Sequence, residues 1–224
     1  MQGCGSVVDK NFLYCASQSQ ARHALLQHAE IPFMVIGITV REEDADVSGA
    51  VQEQVAALAQ YKHTGIDVGA VMHLQTAQTG RLYFITADTL IAGVENGMIY
   101  GKPRSYSHAV EMVQQISRQE IIVATGMCLS VWQYDRQTGE CALVKQETWV
   151  ADALAEFSVP DNEIDYYLSS CPVAMQGCGA TVVDGRGILY FKSIRGSYSG
   201  TLGLDMFGLR LRLARHGFYD SMHR

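Results

Sequence analysis

The run Leu82-Tyr83-Phe84-Ile85-Thr86-Ala87-Asp88-Thr89-Leu90-Ile91-Ala92 decides how this chain is read. Its apolar and β-branched content marks a central strand. Asp88 stands inside it, and a carboxylate in apolar surroundings is costly unless something needs it. At a strand end such a residue can ligate Mg²⁺ or take a proton from an attacking water. The alternative is a strand-terminal aspartate that accepts backbone N–H bonds. Ile121 to Trp132 has the same character and reads as a second central strand. Between the two, Ser107 to Ile116 reads as a helix capped by Ser105 or Ser107.

Working outward, Phe12 to Ala16 is a short apolar run leading into a helix over Gln20 to Ala29, with Ser19 placed as N-cap. Phe33 to Thr39 follows Pro32 and reads as a strand, and Glu53 to Tyr61 has helical spacing through Val55, Leu58 and Ala59. Downstream, Cys141 to Val150 alternates like a strand and Asp161 to Leu168 reads as a short helix. Thr181 to Val183 and Ile188 to Ile194 are expected to pair as a hairpin around Asp184-Gly185-Arg186-Gly187. Leu204 to Arg215 is expected to be an amphipathic helix with Leu204, Phe207, Leu211 and Ala214 on its apolar face. Arg210, Arg212 and Arg215 then lie mostly off that face, where cations suit a helix C-terminus. The order implies an α/β protein with a mixed central sheet flanked by helices. A single domain over residues 1–224 is expected.

Composition narrows the class further. The 224 residues are 48% hydrophobic and 18% charged, which is globular. The net charge of −6 argues against a broad nucleic-acid surface, although a small anionic ligand needs only a few local cations. No apolar run approaches the roughly 20 residues of a membrane span. Met1 to Lys10 lacks the basic stretch and apolar core of a secretory signal. The six cysteines, Cys4, Cys15, Cys128, Cys141, Cys171 and Cys178, include no CxxC pair. They read as free thiols of a cytoplasmic protein and not as a zinc site. One echo stands out: Met1-Gln2-Gly3-Cys4-Gly5 recurs as Met175-Gln176-Gly177-Cys178-Gly179. Five residues make no repeat architecture.

Several short stretches carry chemistry. Ala16-Ser17-Gln18-Ser19-Gln20-Ala21-Arg22 spans the turn from first strand to first helix, where N–H groups and the helix dipole can hold a phosphate. Ser17 and Ser19 add hydroxyls and Arg22 a forked cation; ordinary capping with a solvated Arg22 is the plainer alternative. In Gly101-Lys102-Pro103, the flanking residues fix the backbone around one lysine. Glu42 follows a strand in an acidic loop, and Lys62 ends the second helix; either could simply be solvated.

These pieces, in this order, resemble the Maf family of nucleotide pyrophosphatases. The opening stretch resembles L-A-S-x-S-P-R-R, Val40-Arg41-Glu42 resembles V-D-E, and Leu58-Ala59-Gln60-Tyr61-Lys62 resembles L-A-x-x-K. Ala87-Asp88-Thr89 and Gly101-Lys102-Pro103 are intact. Ala124-Thr125-Gly126, Pro160 to Ile164, Gln176-Gly177, Gly196 to Ser199 and Gly203-Leu204 follow, so the likeness runs from about Phe12 to Phe218. It implies the elongated Maf/Ham1-like (inosine-triphosphatase-like) fold. The implied activity is hydrolysis of a nucleoside triphosphate to the monophosphate and pyrophosphate with Mg²⁺ or Mn²⁺. Asp88 would be the proton acceptor, and Asp88 and Glu42 the metal ligands. Ser17, Arg22, Lys62 and Lys102 would hold phosphates, with Glu42, Thr89 and Gln176 also binding substrate. No nucleic acid or membrane partner is implied; a homodimer is.

The family's substrate subgroups are separated at three positions, occupied here by Ala21, Thr89 and Gln176. Thr89 and Gln176 match the dTTP/UTP group, whereas Ala21 replaces an arginine. Gln20 and Asp205 replace family prolines, the A-G-A-Y stretch before Gln176 is missing, and His63 to Arg81 is longer than usual. Thr89 and Gln176 point to dTTP, UTP or a modified pyrimidine nucleotide. Two other readings compete: a catalytically weakened nucleotide-binding regulator of septum formation, and a thiol enzyme using one of the cysteines.

Overall fold

The computed structural model describes residues 11–221. The first Met-Gln-Gly-Cys-Gly copy, with Cys4, lies outside them. The chain runs β1 (Leu13–Cys15), α1 (Gln20–His28), β2 (Phe33–Val35), α2 (Val51–Thr64) and α3 (Val68–His73). It continues through β3 (Thr79–Gly93), β4 (Ile99–Tyr100), α4 (Tyr106–Ile116), β5 (Glu120–Asp135) and β6 (Glu140–Phe157). Last come α5 (Ile164–Ser170), β7 (Phe191–Gly196), α6 (Tyr198–Thr201) and α7 (Met206–Arg215).

All seven strands form one mixed sheet in the order β2-β1-β3-β5-β6-β7, with β4 also on β3. β1 is parallel to β2 and to β3, and every other pairing is antiparallel. β3 is 15 residues long, about 50 Å at ~3.3 Å per residue. One strand can therefore cross two cores. Tyr83, Ile85 and Ala87 pack with β5, α1 and α7. Ile91 packs with Ile121, Val123, Phe157 and the apolar faces of α4 and α5.

The site lies between those cores, where the sheet edge is open. Ala16 N–H donates to the Ile85 carbonyl at 2.9 Å, and β1 ends there. β4 takes up the same edge only at Ile91. Residues Thr86 to Leu90 thus form a notch in the sheet edge, and by strand alternation Ala87 and Thr89 turn their backbone groups into it.

Helix α2 closes one face of the notch. Opposite Asp88 in the ladder is Gly126, where an added Cβ would meet the Val55 carbonyl oxygen at 2.1 Å. Glycine here lets the α2 backbone rest directly on β5. Val51 and Val55 bury against Ala92 and Ala124, which sets the height of Lys62 above the strand.

Several expectations need correction. Thr181–Val183 is not a strand: Gly185–Tyr190 is a 3₁₀ segment, and β7 pairs with β6 instead. The Asp-Gly pair does supply a turn, with Gly185 at φ +60°, but Gly187 packs so closely on the Val182 carbonyl that the chain tucks back there. Helix α7 buries Gly208, Leu209 and Leu213, leaving Phe207 and Leu211 exposed. Trp149, stacked 3.9 Å from the Arg212 guanidinium, fixes that rotation. The strand expected over Phe33 to Thr39 spans only 33–35, and β6 extends past Val150 to Phe157. The extra length after His63 holds α3.

Candidate active site

Five segments bring charge to the site. The first is the β1–α1 turn. Ser19 caps α1, its hydroxyl accepting from Arg22 N–H, while the Ser17 hydroxyl accepts from Ser19 N–H at 3.2 Å and from Arg22 Nη1 at 2.9 Å. Arg22 is not solvated: Nε donates to the Gly203 carbonyl at 2.7 Å and Nη2 to the Thr89 hydroxyl at 3.2 Å. Three of its five N–H donors are engaged, leaving two for a ligand.

The direction of the next bonds follows from proton counting. Thr125 donates its only hydroxyl proton to the Gly200 carbonyl at 2.8 Å. The Thr89 hydroxyl, 2.8 Å from Thr125, must then donate to it and accept from Arg22. The relay Arg22, Thr89, Thr125, Gly200 ties α1, β3, β5 and α6 together below the notch.

Above it, on the α2 face, stands Asp88. It is 5% exposed, in mid-strand, and accepts no backbone N–H from the described residues. Its Oδ1 is hydrogen-bonded to Lys62 Nζ, and its Oδ2 is buried with no partner among the described residues. Lys62 Nζ also lies 3.0 Å from Glu42, whose side chain is 49% exposed. Burial pushes the Asp88 carboxyl above its ordinary pKa; Lys62 opposes the rise and the Glu42 charge adds to it. Burial alone would raise Glu42 as well, but Lys62, then Lys102 and Arg22, bring it below its ordinary value. One carboxylate is thereby inclined to take a proton while its neighbour stays ionised.

Lys102 is exposed next to Gly101, whose carbonyl accepts from Gly179 N–H at 2.8 Å, and its charge reaches Glu42 and Cys178. Gln176 ends a 3₁₀ turn over Pro172–Gln176, exposed and without a side-chain partner among the described residues. Two residues further on, Cys178 Sγ donates to the Thr89 carbonyl at 2.8 Å. The structure thus groups Ser17, Arg22, Glu42, Lys62, Asp88 and Thr89; the charge of Lys102 reaches Glu42, and Gln176 stands exposed two residues before Cys178.

The sequence reading missed three residues. Thr125 and Cys178 are described above. The third is His63, buried next to Lys62, with Nδ1 3.1 Å from the Thr86 hydroxyl and Nε2 2.7 Å from the Ser130 hydroxyl. Burial pushes its pKa down to about 4, so the ring is neutral. Thr125 and Cys178 lie in stretches the sequence does single out, Ala124-Thr125-Gly126 and the Met-Gln-Gly-Cys-Gly echo, but their roles, like that of His63, are defined only by contacts between distant segments. Cys178 also bears on the thiol-enzyme reading. Burial first, then the Asp88 charge, push its thiol up to about 12 against Lys102 and Arg22. Nucleophilic cysteines have lowered values, so here the thiol is a donor.

For a divalent cation the donor set is hard oxygen: the buried Asp88 Oδ2, without a partner among the described residues, and the half-exposed Glu42 carboxylate. No group of three or more His, Cys, Asp or Glu residues suited to a metal exists among the described residues. Two carboxylates, completed by water and substrate phosphates, is the usual arrangement for Mg²⁺.

A family model described as Maf-like protein matches residues 12–216. The chain belongs to this family. Among curated relatives, it is 30% identical to the dTTP/UTP pyrophosphatase of Nitrosospira multiformis, covering 88% of this chain and 91% of that one. It is 31% identical to the dTTP/UTP pyrophosphatase of Pelodictyon phaeoclathratiforme over 88% and 93% of the two chains. It is 29% identical to the nucleoside triphosphate pyrophosphatase of Prochlorococcus marinus over 92% and 97%. The fold is the mixed α/β arrangement expected from the resemblance. No helix among the described residues is long and apolar enough to cross a membrane.

Proposed function

We propose that this Maf-like chain hydrolyses a pyrimidine nucleoside triphosphate (dTTP, UTP or a modified relative) to the monophosphate and pyrophosphate. The observation that carries the reading is Asp88: a buried carboxylate paired with Lys62, its second oxygen without a partner among the described residues, beside Glu42, which the charges of Lys102 and Arg22 also reach. The relatives' names support the substrate class.

In this reading the N-terminus of α1, Ser17, Lys62 and Lys102 hold the triphosphate, where fixed donors offset charge building on phosphate oxygens. The free Arg22 donors add to them. Asp88 takes a proton from water, whose oxygen bonds to phosphorus while the α–β anhydride bond breaks and pyrophosphate leaves. A bound Mg²⁺ or Mn²⁺, held by Asp88, Glu42 and phosphate oxygens, would supply Lewis-acid polarisation and a more acidic water. Lys62 keeps the two carboxylates together and moves toward phosphate when substrate enters. Gln176 serves the base end, since an amide can donate to and accept from a uracil or thymine edge at once, and Thr89, whose hydroxyl is committed to Arg22 and Thr125, steadies the strand beside it. Free thiols at Cys15, Cys128, Cys141, Cys171 and Cys178 support a reducing, cytoplasmic setting.

A product assay over common and modified nucleoside triphosphates, with and without Mg²⁺ or Mn²⁺, tests the proposal. Pyrophosphate and monophosphate from UTP or dTTP, dependent on metal, is the expected result. Release of orthophosphate would overturn the reaction class. Preference for 7-methyl-GTP would overturn the base assignment and leave the class standing.

A further inference from the structure

The second Met-Gln-Gly-Cys-Gly copy, Met175 to Gly179, lies against the site. Two bonds from adjacent residues hold it there. Cys178 Sγ donates to the Thr89 carbonyl at 2.8 Å. Gly179 N–H donates to the Gly101 carbonyl at 2.8 Å, next to Lys102.

The glycines on either side make this geometry available. At Gly177 a Cβ would meet the Thr181 carbonyl oxygen at 2.2 Å, so the turn closes tightly on itself. Gly179 has φ +62°, and a Cβ there would meet Ile116 Cδ1 at 2.4 Å. A residue with a side chain at either position would force the turn away from β3. Gln176 immediately precedes this clasp, and its own side chain is held by nothing else among the described residues.

We propose that Cys178 is a positioning residue that sets base selectivity, its S–H bond to Thr89 locking the turn that presents Gln176. The inference rests on the reading that Gln176 serves the base end. Thr89 is a suitable anchor, because the relay through Arg22 and Thr125 already fixes it from below. Position 178 thus couples the base-facing turn to the rigid part of the site, while Asp88, Lys62 and Glu42 lie on the opposite face of β3. A cysteine suits the position: it is compact, tolerates burial, and remains an S–H donor in this environment. Serine can replace the donor; alanine cannot.

The test compares wild type, Cys178→Ala, Cys178→Ser and Gln176→Ala for KM and kcat with UTP, dTTP, CTP and GTP. Inhibition by inorganic pyrophosphate reports on the phosphate end. Cys178→Ala is expected to raise KM for UTP by roughly 10-fold, the scale of one lost hydrogen bond. It should shrink the preference for UTP over GTP, with kcat and pyrophosphate inhibition within about threefold of wild type. Cys178→Ser should restore both KM and preference. Unchanged KM and selectivity in Cys178→Ala would overturn the proposal. So would a joint loss of kcat, pyrophosphate inhibition and thermal stability, since that pattern marks a merely structural residue. If Cys178→Ala does not fold, Cys178→Val, which removes the donor and fills the space with apolar carbon, is read in the same way. Gln176→Ala separates the two levels. Lost selectivity there with a wild-type Cys178→Ala sinks the clasp and keeps the Gln176 reading, and the converse sinks the Gln176 reading and keeps the clasp.

Discussion

Substituting Asp88→Asn separates a catalytic from a structural role because the structure assigns opposite consequences to the two. Asparagine keeps the shape, and its carbonyl can still accept from Lys62 where Oδ1 does now. Its amide nitrogen takes the place of the unpartnered Oδ2 and can accept no proton from water. Losing a positioned base costs about 10²- to 10⁴-fold in rate, or roughly 2.7 to 5.4 kcal/mol of barrier. Stability should change little. The buried carboxylate already resists ionisation, and Lys62 retains Glu42 at 3.0 Å as a counter-charge. Were the Asp88–Lys62 pair chiefly structural, breaking it would cost about 3–5 kcal/mol, which is a fall of ~10 °C in Tm for a chain of this size.

The assay is initial-rate pyrophosphate release at saturating UTP and Mg²⁺, alongside a thermal melt. At least a 100-fold loss of kcat with a nearly unchanged Tm is expected. A kcat within about threefold of wild type in folded protein would refute the reasoning. A pH profile adds a second check. A base works when ionised, so activity is lost as pH falls through its folded-state pKa. Because burial raises that value, the acid limb of kcat/KM should lie above the ordinary aspartate value of about 3.9.

Three further outcomes follow from the same geometry. Gly126→Ala would drive a methyl into the Val55 carbonyl and lift α2; a loss of about 1–3 kcal/mol in a denaturant melt, with reduced kcat as Lys62 leaves Asp88, is expected. Arg22→Lys cannot hold Gly203, Ser17 and Thr89 together, so KM for UTP should rise by ~10-fold or more while added salt fails to restore it. His63 is held neutral with its pKa near 4, so the unfolded state binds protons first on acidification: stability should be flat above about pH 6.5 and fall by at most ~3 kcal/mol toward pH 4. In urea melts across that window His63→Gln should flatten the fall, and an unchanged pH dependence would exclude His63 as its source.

What the sequence disclosed depended on how local the cause was. β3 and β5 are continuous apolar runs, and α1 and α4 carry serine caps at Ser19 and Ser105, so each was readable in place. Asp88 was readable because it breaks an apolar run. The apolar face of α7 was not, since Phe207 and Leu209 are equally apolar in sequence and only packing against Trp149 and β5 chooses between them. The false hairpin has the same origin. Its Asp-Gly turn signal is real, but β6 was the available partner for β7. Arg22, read alone, looked like a capping-turn cation; its three acceptors come from residues 17, 89 and 203.

The Ala87-Asp88-Thr89 triplet shows why such a short motif carries so much. Successive side chains in a strand point to opposite faces. Asp88 therefore meets α2, with Lys62 and Glu42, while Thr89 meets α1 and α6 through Arg22, Thr125 and Gly200. The carboxylate with its cation and the rigid positioning relay are adjacent in sequence yet separated by the thickness of the sheet. Only where the sheet edge is open can one ligand reach both. A slip of one residue in the β3–β5 ladder would exchange the two faces and would also move Gly126 from beneath Val55. The register is thus a condition for the site, and Gly126, which touches no ligand group, fixes the placement of Lys62 as firmly as Asp88 does.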